Sequence, residues 1–492
     1  MNGNNLAHLI LLRPSGELAT KSRQTRRRFQ RSLVAALEDA LASAGAGYEV
    51  HDDWGRIYVR ASSRAALDVV ARVYGIASLS EVEATAEARL DSIVEVGERV
   101  YAERVRGGTF GVRARRAGTH SFSSRDVNYE LGAALNRYAQ VDLGDPDVAV
   151  GVEVRDETAY FFSDQIPGAG GLPAGVEGPA LALISGGYDS AVAAWMMLRR
   201  GVALDYVFCN LAGGAYERAV LAVAKLLADE WSYGLSPRIH VVDFQEPVLR
   251  LREQVRESYW QVILKRLMYR TADLIAEQTG AHAIVTGESV GQVSSQTLAN
   301  LAAIDPSARA PVLRPLVGFD KAEIIERSRR IGTYPLSEKV REYCALSELR
   351  PVTEAAPGDA ASEEARLDMS IIDSVVEARR VLELRQLDPS ELVLPFLYTS
   401  EIAAGTVVID TRSPAQFDAW HYPGARHRDF WELFRELKTL EKEQTYVLYC
   451  DLGLKTAQLA EKMQRAGYEA YSFKGGVRAL RAYAEARAGR PD

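Results

Sequence analysis

Cysteines, long apolar runs and targeting signals are scarce in this chain, and each scarcity removes a class of protein. Its 492 residues include three cysteines, Cys209, Cys344 and Cys450, too few for a disulfide framework at this length. They do not pair with the seven histidines at the short spacings of a structural zinc site. No resident metal is therefore expected, and each thiol is read on its own. No apolar run reaches the ~20 residues of a membrane span. The apolar stretch Leu6 to Leu12 ends at Arg13 without a small-residue cleavage site. The expectation is a cytoplasmic chain with neither a signal peptide nor a membrane partner.

What is present is an ordinary folded composition, 47% hydrophobic and 25% charged. The length exceeds one core and predicts about three or four domains. A net charge of -7 argues against a nucleic-acid partner only at the scale of the whole chain, because a binding footprint is local. Arg13, Lys21, Arg23, Arg26, Arg27, Arg28 and Arg31 face a single acid, Glu17, and Arg104, Arg106, Arg113, Arg115, Arg116 and Arg125 form a second basic stretch. The compensating acids come later, for instance Glu363, Glu364, Asp368 and Asp373.

Periodicity predicts a first α+β segment: a strand over Ala7 to Leu12, a basic helix over Ser22 to Leu41, strands at Tyr48 to Val50 and Arg56 to Arg60, and a helix over Arg64 to Val73. A second follows, with helices at Ser92 to Arg104 and Arg125 to Tyr138 and strands at Thr109 to Arg115, Val148 to Val154 and Thr158 to Phe162. The Gly/Pro-rich stretch Pro167 to Pro179 marks a boundary. Beyond it, short apolar strands at Ala180 to Ile184, Leu204 to Asn210, Ile239 to Val242 and Ala283 to Val285 alternate with helices, which implies a helix-covered parallel sheet. Thr353 to Glu364 reads as a polar stretch and Leu387 to Glu391 as a linker. A last alternating segment has strands at Val407 to Asp410, Thr445 to Tyr449 and Tyr468 to Phe473.

The sharpest local signal is Leu181-Ala-Leu-Ile-Ser185-Gly186-Gly187-Tyr188-Asp189-Ser190, a strand running through a Ser-Gly-Gly turn into a helix. Glycines let backbone N–H groups approach a phosphate, Ser185 and Ser190 add hydroxyls, and the helix presents its positive end. Asp189 would repel a bare phosphate, so its expected task is to hold Mg²⁺ or orient a polar group. Lys265 can neutralise phosphate and Gln296 can hydrogen-bond a nucleotide. Cys450 opens Cys450-Asp-Leu-Gly453-Leu-Lys-Thr456 before a helix, where backbone donors favour a thiolate or persulfide. Cys209, inside an apolar strand, reads as core packing. The segment Val112 to Ser124 interleaves arginines with Phe122 and hydroxyls, a composition that suits RNA.

Ser185-Gly-Gly-Tyr-Asp-Ser190 resembles the PP-loop of ATP pyrophosphatases. Val262-Ile-Leu-Lys265-Arg266, Thr286-Gly287-Glu288 and Gly291 to Thr297 resemble nucleotide-site segments of the tRNA 4-thiouridine synthetases (the ThiI family), and Gly16-Glu17-Leu-Ala-Thr-Lys21-Ser22 resembles their start. Val408-Ile-Asp410-Thr-Arg412, His421-Tyr-Pro423-Gly424 and the Cys450 loop resemble a rhodanese domain, and the arginine-rich second segment resembles a THUMP domain. The resemblance implies a multidomain α/β and α+β chain: an N-terminal ferredoxin-like domain (1–60), a THUMP domain (61–166), a parallel-sheet PP-loop pyrophosphatase domain (177–385) and a rhodanese-like domain (402–490).

It further implies ATP, with Mg²⁺, bound by Leu183, Ile184, Ser185, Gly186, Gly187, Ser190, Lys265, Gly287 and Gln296, with Asp189 catalytic. It implies tRNA as substrate, with Lys21, Arg23, Arg26, Arg27, Arg113, Arg115 and Arg116 as expected RNA contacts. The implied reaction adenylates uracil O4 of uridine 8 and transfers sulfur from a Cys450 persulfide supplied by a cysteine desulfurase. Cys344, in a matching Glu-Tyr-Cys segment, is implied to close a transient disulfide on Cys450. Two other readings stand beside this one: a sulfur relay to the thiamine-pathway sulfur carrier protein, and an RNA-binding module without catalysis. The oligomeric state is open, a homodimer among the options.

Overall fold

The computed structural model describes residues 6–53, 55–211, 214–338, 340, 351–392, 397–403, 405–451 and 453–488. Cys344 lies outside them. The chain divides into two compact units, the first running to Gly178 with residues 198–203 and 230–235, the second holding the remainder. The boundary falls inside the Gly/Pro-rich stretch.

The first unit contains two five-stranded sheets. In one, His8–Pro14 lies between Ile76–Val82 and Arg56–Ala61, with Tyr48–Asp53 and Ile166–Pro167 at the edges, all antiparallel. The helix Arg23–Ser43 covers it. Ser22 caps this helix by accepting from the Thr25 N–H, and Phe29, Leu33, Leu37 and Leu41 bury one stripe. That i, i+4 stripe leaves Arg23 and Arg27 exposed on the rest of the surface. The expected domain boundary at residue 60 falls inside this sheet, because Ile76–Val82 pairs with the first strand from Leu9 to Pro14. Its Ser78, Ser80 and Glu81 interrupt the apolar pattern by which a strand is read. In the other sheet, Thr109–Ala117 runs parallel to Val148–Arg155 over eight paired positions from Phe110 to Ala117. The flanking strands are Gln140–Val141 on one side and Thr158–Phe162 and Ala84–Glu87 on the other.

The second unit also holds two sheets. The six-stranded one has the order Val312–Leu313, Ile284–Val285, Pro179–Leu183, Ala203–Asn210, Arg238–Asp243 and Arg380–Glu383. Ile284–Val285 runs parallel to both its neighbours and Ala203–Asn210 parallel to Arg238–Asp243, while the last ladder is antiparallel. The antiparallel edge had no sequence signature, since three of its four residues are exposed. Residues expected as a polar stretch form the helix Pro357–Glu364. Beside Ala360 it buries two carboxylates: Glu364 takes hydrogen bonds from Arg266 at 2.6 Å and Arg270 at 2.7 Å, and Glu363 pairs with Arg256. A salt-bridged face leaves no hydrophobic period to read. The five-stranded sheet, Tyr398–Thr399, Glu469–Phe473, Thr445–Tyr449, Val407–Asp410 and Arg426–His427, is parallel throughout. One apolar cluster runs from Leu181 and Val242 through Trp260 and Leu267 to Trp431, Leu448 and Met463.

Candidate active site

Both chemical centres sit where a parallel strand ends at its carboxyl edge, where open α/β sheets place ligands. The strand Pro179–Leu183 passes through Ser185, Gly186 and Gly187 into the helix Tyr188–Arg199. Gly186 has φ +77°, a left-handed turn that a side chain would strain. The loop is tied by Ser190, whose hydroxyl accepts from the Ser185 N–H at 3.2 Å and lies 3.2 Å from the Gly187 carbonyl, to which it donates. Tyr216 donates its hydroxyl to the Ser185 carbonyl at 2.9 Å.

A cavity of about 510 Å³ opens at this loop. Its lining combines apolar side chains, Leu183, Val207, Phe208, Leu264 and Met268, with polar ones, Ser185, Asp189, Ser190, Lys265 and Gln296. Of the residues expected to hold nucleotide, Leu183, Ile184, Ser185, Ser190, Lys265, Gly287 and Gln296 all line it, with Asp189. Gly186 and Gly187 make its turn. Gly287 is a steric requirement, because a Cβ there would lie 2.5 Å from the Asp189 carbonyl carbon and 2.6 Å from the Ser190 nitrogen. Cys209 also faces this cavity while packing in the core, and burial pushes its thiol well above its ordinary range.

Lys265 stands 3.5 Å from Glu288, a carboxylate almost wholly buried. Glu288 also accepts from Tyr269 at 2.5 Å, Thr286 at 3.1 Å and Arg314 at 2.9 Å. Burial pushes its carboxyl up, but Lys265, Tyr269 and Arg314 outweigh it and hold the group below the usual carboxylate range.

Asp189, expected to hold Mg²⁺ or orient a polar group, engages two polar side chains. Both its oxygens accept from the Lys321 ammonium at 2.9 Å, and Gln292 donates to it at 2.9 Å. Lys321 also lies 5.5 Å from the Tyr188 ring centroid. The cation on Asp189 is thus an ammonium, and among the described residues no cluster of three or more His, Cys, Asp or Glu can hold a metal ion. Lys321 was missed in the sequence because it lies 132 residues from its partner. The available signal was Asp320, whose capping box with Glu323 starts the helix Lys321–Arg330.

Cys450 follows the strand Thr445–Tyr449 and is 6% exposed. Its Sγ accepts from the Gly453 N–H at 3.1 Å and lies 3.6 Å from the Thr456 hydroxyl. Gly453 has φ +80° and leads into the helix Leu454–Arg465. Ser472 locks the loop by donating to the Gly453 carbonyl at 2.8 Å. In the first unit, Lys21, Arg23, Arg27, Arg113, Arg115 and Arg116 are exposed and Arg26 is half-buried. Arg113 and Arg115 share one face of their strand and line a cleft with Arg13 and Glu153. Arg116 points to the other face and bonds the Gly118 carbonyl at 2.7 Å. Glu153, nearly inaccessible, gathers Arg13 at 3.1 Å, Arg56 at 2.5 Å and Arg155 at 2.9 Å, a cluster with surplus positive charge that sequence reading did not single out.

A glycine-turn cavity with Lys265 in its lining, and a thiol held by backbone N–H in a second parallel domain, define a PP-loop protein fused to a rhodanese-like module. Family models match in the same order: ThiI ferredoxin-like domain over residues 9–80, THUMP domain over 87–164, Thiamine biosynthesis protein (ThiI) over 175–369 and Rhodanese-like domain over 398–483. A tRNA sulfurtransferase of Pyrobaculum aerophilum is 37% identical over 93% of this chain and 95% of its own length. Another, from Proteus mirabilis, is 35% identical over 92% of this chain and 96% of its own. A solved 4-thiouridine synthetase, in complex with RNA and with bound ATP, is 31% identical with a TM-score of 0.67, covering 76% of this chain and 99% of that one. The chain belongs to the tRNA sulfurtransferase (ThiI) family.

Proposed function

We propose that this protein is an ATP-dependent tRNA uracil 4-sulfurtransferase that makes 4-thiouridine at position 8. The observation that carries the reading is the pairing, in one chain, of the Ser185–Ser190 cavity with the Cys450 loop, behind a basic THUMP domain. ATP is the co-substrate that turns uracil O4 into a leaving group. The cavity suits it: apolar side chains for a base, loop N–H groups for phosphate and Lys265 in the lining. Glu288 holds Lys265 in place, so the charge is aimed before the nucleotide arrives. Lys321 can shift from Asp189 to the oxyanion that grows as O4 bonds the α-phosphorus and pyrophosphate leaves.

Sulfur chemistry then falls to Cys450. Its thiolate, stabilised by the Gly453 N–H, takes the outer sulfur of a cysteine desulfurase persulfide and releases the donor thiolate. The Cys450 persulfide attacks C4 and AMP departs, leaving the base joined to Cys450 through a disulfide. Cys344 thiolate attacks the Cys450 sulfur, the S–S bond breaks with its electron pair going to the base sulfur, and a Cys344–Cys450 disulfide remains. A dithiol reductant restores both thiols.

The basic residues at Lys21–Arg27 and Arg113–Arg116 are the proposed tRNA contacts. No described helix is long and apolar enough to cross a membrane, and we place the enzyme in the cytoplasm with its tRNA. A second role, handing Cys450 sulfur to the thiamine-pathway carrier protein, has the match to the thiamine biosynthesis model behind it. The test is nucleoside mass spectrometry on unmodified tRNA incubated with the protein, ATP, cysteine and a cysteine desulfurase. The proposal expects 4-thiouridine at position 8, lost without ATP and lost in Cys450→Ser. Persulfidated Cys450 with no thiolated nucleoside would leave the relay role alone.

A further inference from the structure

Within the second unit, the rhodanese-like module meets the PP-loop domain through a polar contact. Arg218, on the helix Gly214–Trp231, donates to Glu461, on the helix Leu454–Arg465, at 3.3 Å. Their side chains are 16% and 9% exposed. The Glu461 carboxylate lies against the first turn of the other helix, since a Cβ on Gly214 would collide with its Oε1. A carboxylate is favoured at that helix end. A second contact joins the two parts: Arg252 lies 5.0 Å from the ring centroid of Trp260 and 5.5 Å from that of Trp431.

The contact is incompletely satisfied. Arg218 Nε, Glu461 Oε2 and both amide atoms of Gln458 are buried without a hydrogen-bond partner among the described residues. Gln458 and Glu461 are three apart and share a helix face. Buried polar atoms left unpaired cost free energy, and separation returns them to water. Such a face suits a contact that opens. Both helices also lead to chemistry. One starts at the Cys450 loop, and the other carries Tyr216, which holds the Ser185 carbonyl. Arg218 and Cys450 both act on the Tyr398 phenol, so the ion pair is within electrostatic reach of the thiol's surroundings. Cys450 is 6% exposed here, whereas attack on another protein's persulfide needs the thiol within reach.

We propose that Arg218 and Glu461 form a reversible dock that seats the rhodanese-like module against the PP-loop domain for sulfur delivery and opens for Cys450 to be loaded. The delivery half of this inference rests on the proposed sulfurtransferase reading. The experiment uses the full chain with Arg218→Glu, since Glu461 also accepts from Arg465 at 2.8 Å within its own helix and keeps that partner in the variant. Hydrogen exchange reads the dock directly. The reversal is expected to speed exchange over residues 214–218 and 454–465 together. Cys450 is then preloaded with sulfur and transfer to tRNA is followed over one turnover. The reversal is expected to slow transfer about tenfold while persulfide loading holds or quickens. Unchanged exchange, or exchange that rises over 214–218 and not over 454–465, overturns the dock. Faster exchange with undiminished transfer overturns its role in delivery. If the unaltered chain transfers no sulfur to RNA, the sulfurtransferase reading and the delivery role fall together, and the exchange result still decides the dock.

Discussion

Replacing Gly287 by alanine adds one methyl group where the backbone leaves no room for it. The new Cβ would stand 2.5 Å from the Asp189 carbonyl carbon, 2.6 Å from the Ser190 nitrogen and 2.8 Å from the Asp189 oxygen. Ordinary carbon contacts begin at about 3.5 Å, so the strand end or the glycine turn has to move by about 1 Å. All three obstacles are main-chain atoms, which cannot swing aside as a side-chain tip does. Overpacking of this kind costs about 1–3 kcal/mol. Because the displaced atoms belong to the segment carrying Asp189 and Ser190, the cost falls on the phosphate-binding geometry as well as on folding. The expected result is ATP binding weakened about 10- to 100-fold by calorimetric titration, with a lowered Tm. Gly318→Ala is the control, since nothing lies within 4 Å of the point where its methyl group would stand. ATP affinity within twofold of the parent and an unchanged Tm in Gly287→Ala would refute the reasoning.

Three further outcomes follow from the same geometry. Lys321→Met removes the ammonium that binds both oxygens of Asp189; AMP formation in the presence of tRNA should fall at least about tenfold in kcat, with a smaller change in ATP affinity. His240, 2% exposed and accepting from Arg379 at 3.2 Å, is pushed down to about 4 by burial and that guanidinium. Its contribution is intact above the unfolded pKa near 6.5 and is lost as pH falls toward about 4, on the order of 3 kcal/mol; denaturant titrations at pH 7 and pH 4.5 should show a smaller acid loss in His240→Gln. Removing Arg113 and Arg115 together should weaken tRNA binding and lower the slope of log affinity against log salt by about two, as read by filter binding across a salt series.

Local features were legible in the sequence and distant pairings were not. The glycine turn at Ser185–Gly187 and the strand before it follow from apolar run, glycine pair and helix onset, all within ten residues. The Cys450 loop is equally local, because Gly453 sits three residues from the sulfur it donates to. Lys321 was hidden because its role exists only after the fold brings it to Asp189. The helix Pro357–Glu364 was hidden because two of its three buried residues are carboxylates matched by Arg256, Arg266 and Arg270. The edge strand Arg380–Glu383 was hidden because an exposed edge needs no apolar period. The Glu153 cluster draws Arg13, Arg56 and Arg155 from three strands, so no sequence window contains it. A polar network across strands is written in the topology.

The most direct test of the central claim is a single-turnover reaction in which Cys450 alone carries labelled sulfur. The protein is loaded with isotopic sulfur, freed of desulfurase and cysteine, and mixed with unmodified tRNA with or without ATP; AMP and labelled 4-thiouridine are then counted. Convergence of the two centres on one base predicts one labelled sulfur in RNA for each AMP released, and none when ATP is omitted. Labelled 4-thiouridine formed without ATP, or AMP released while the label stays on Cys450, would contradict it.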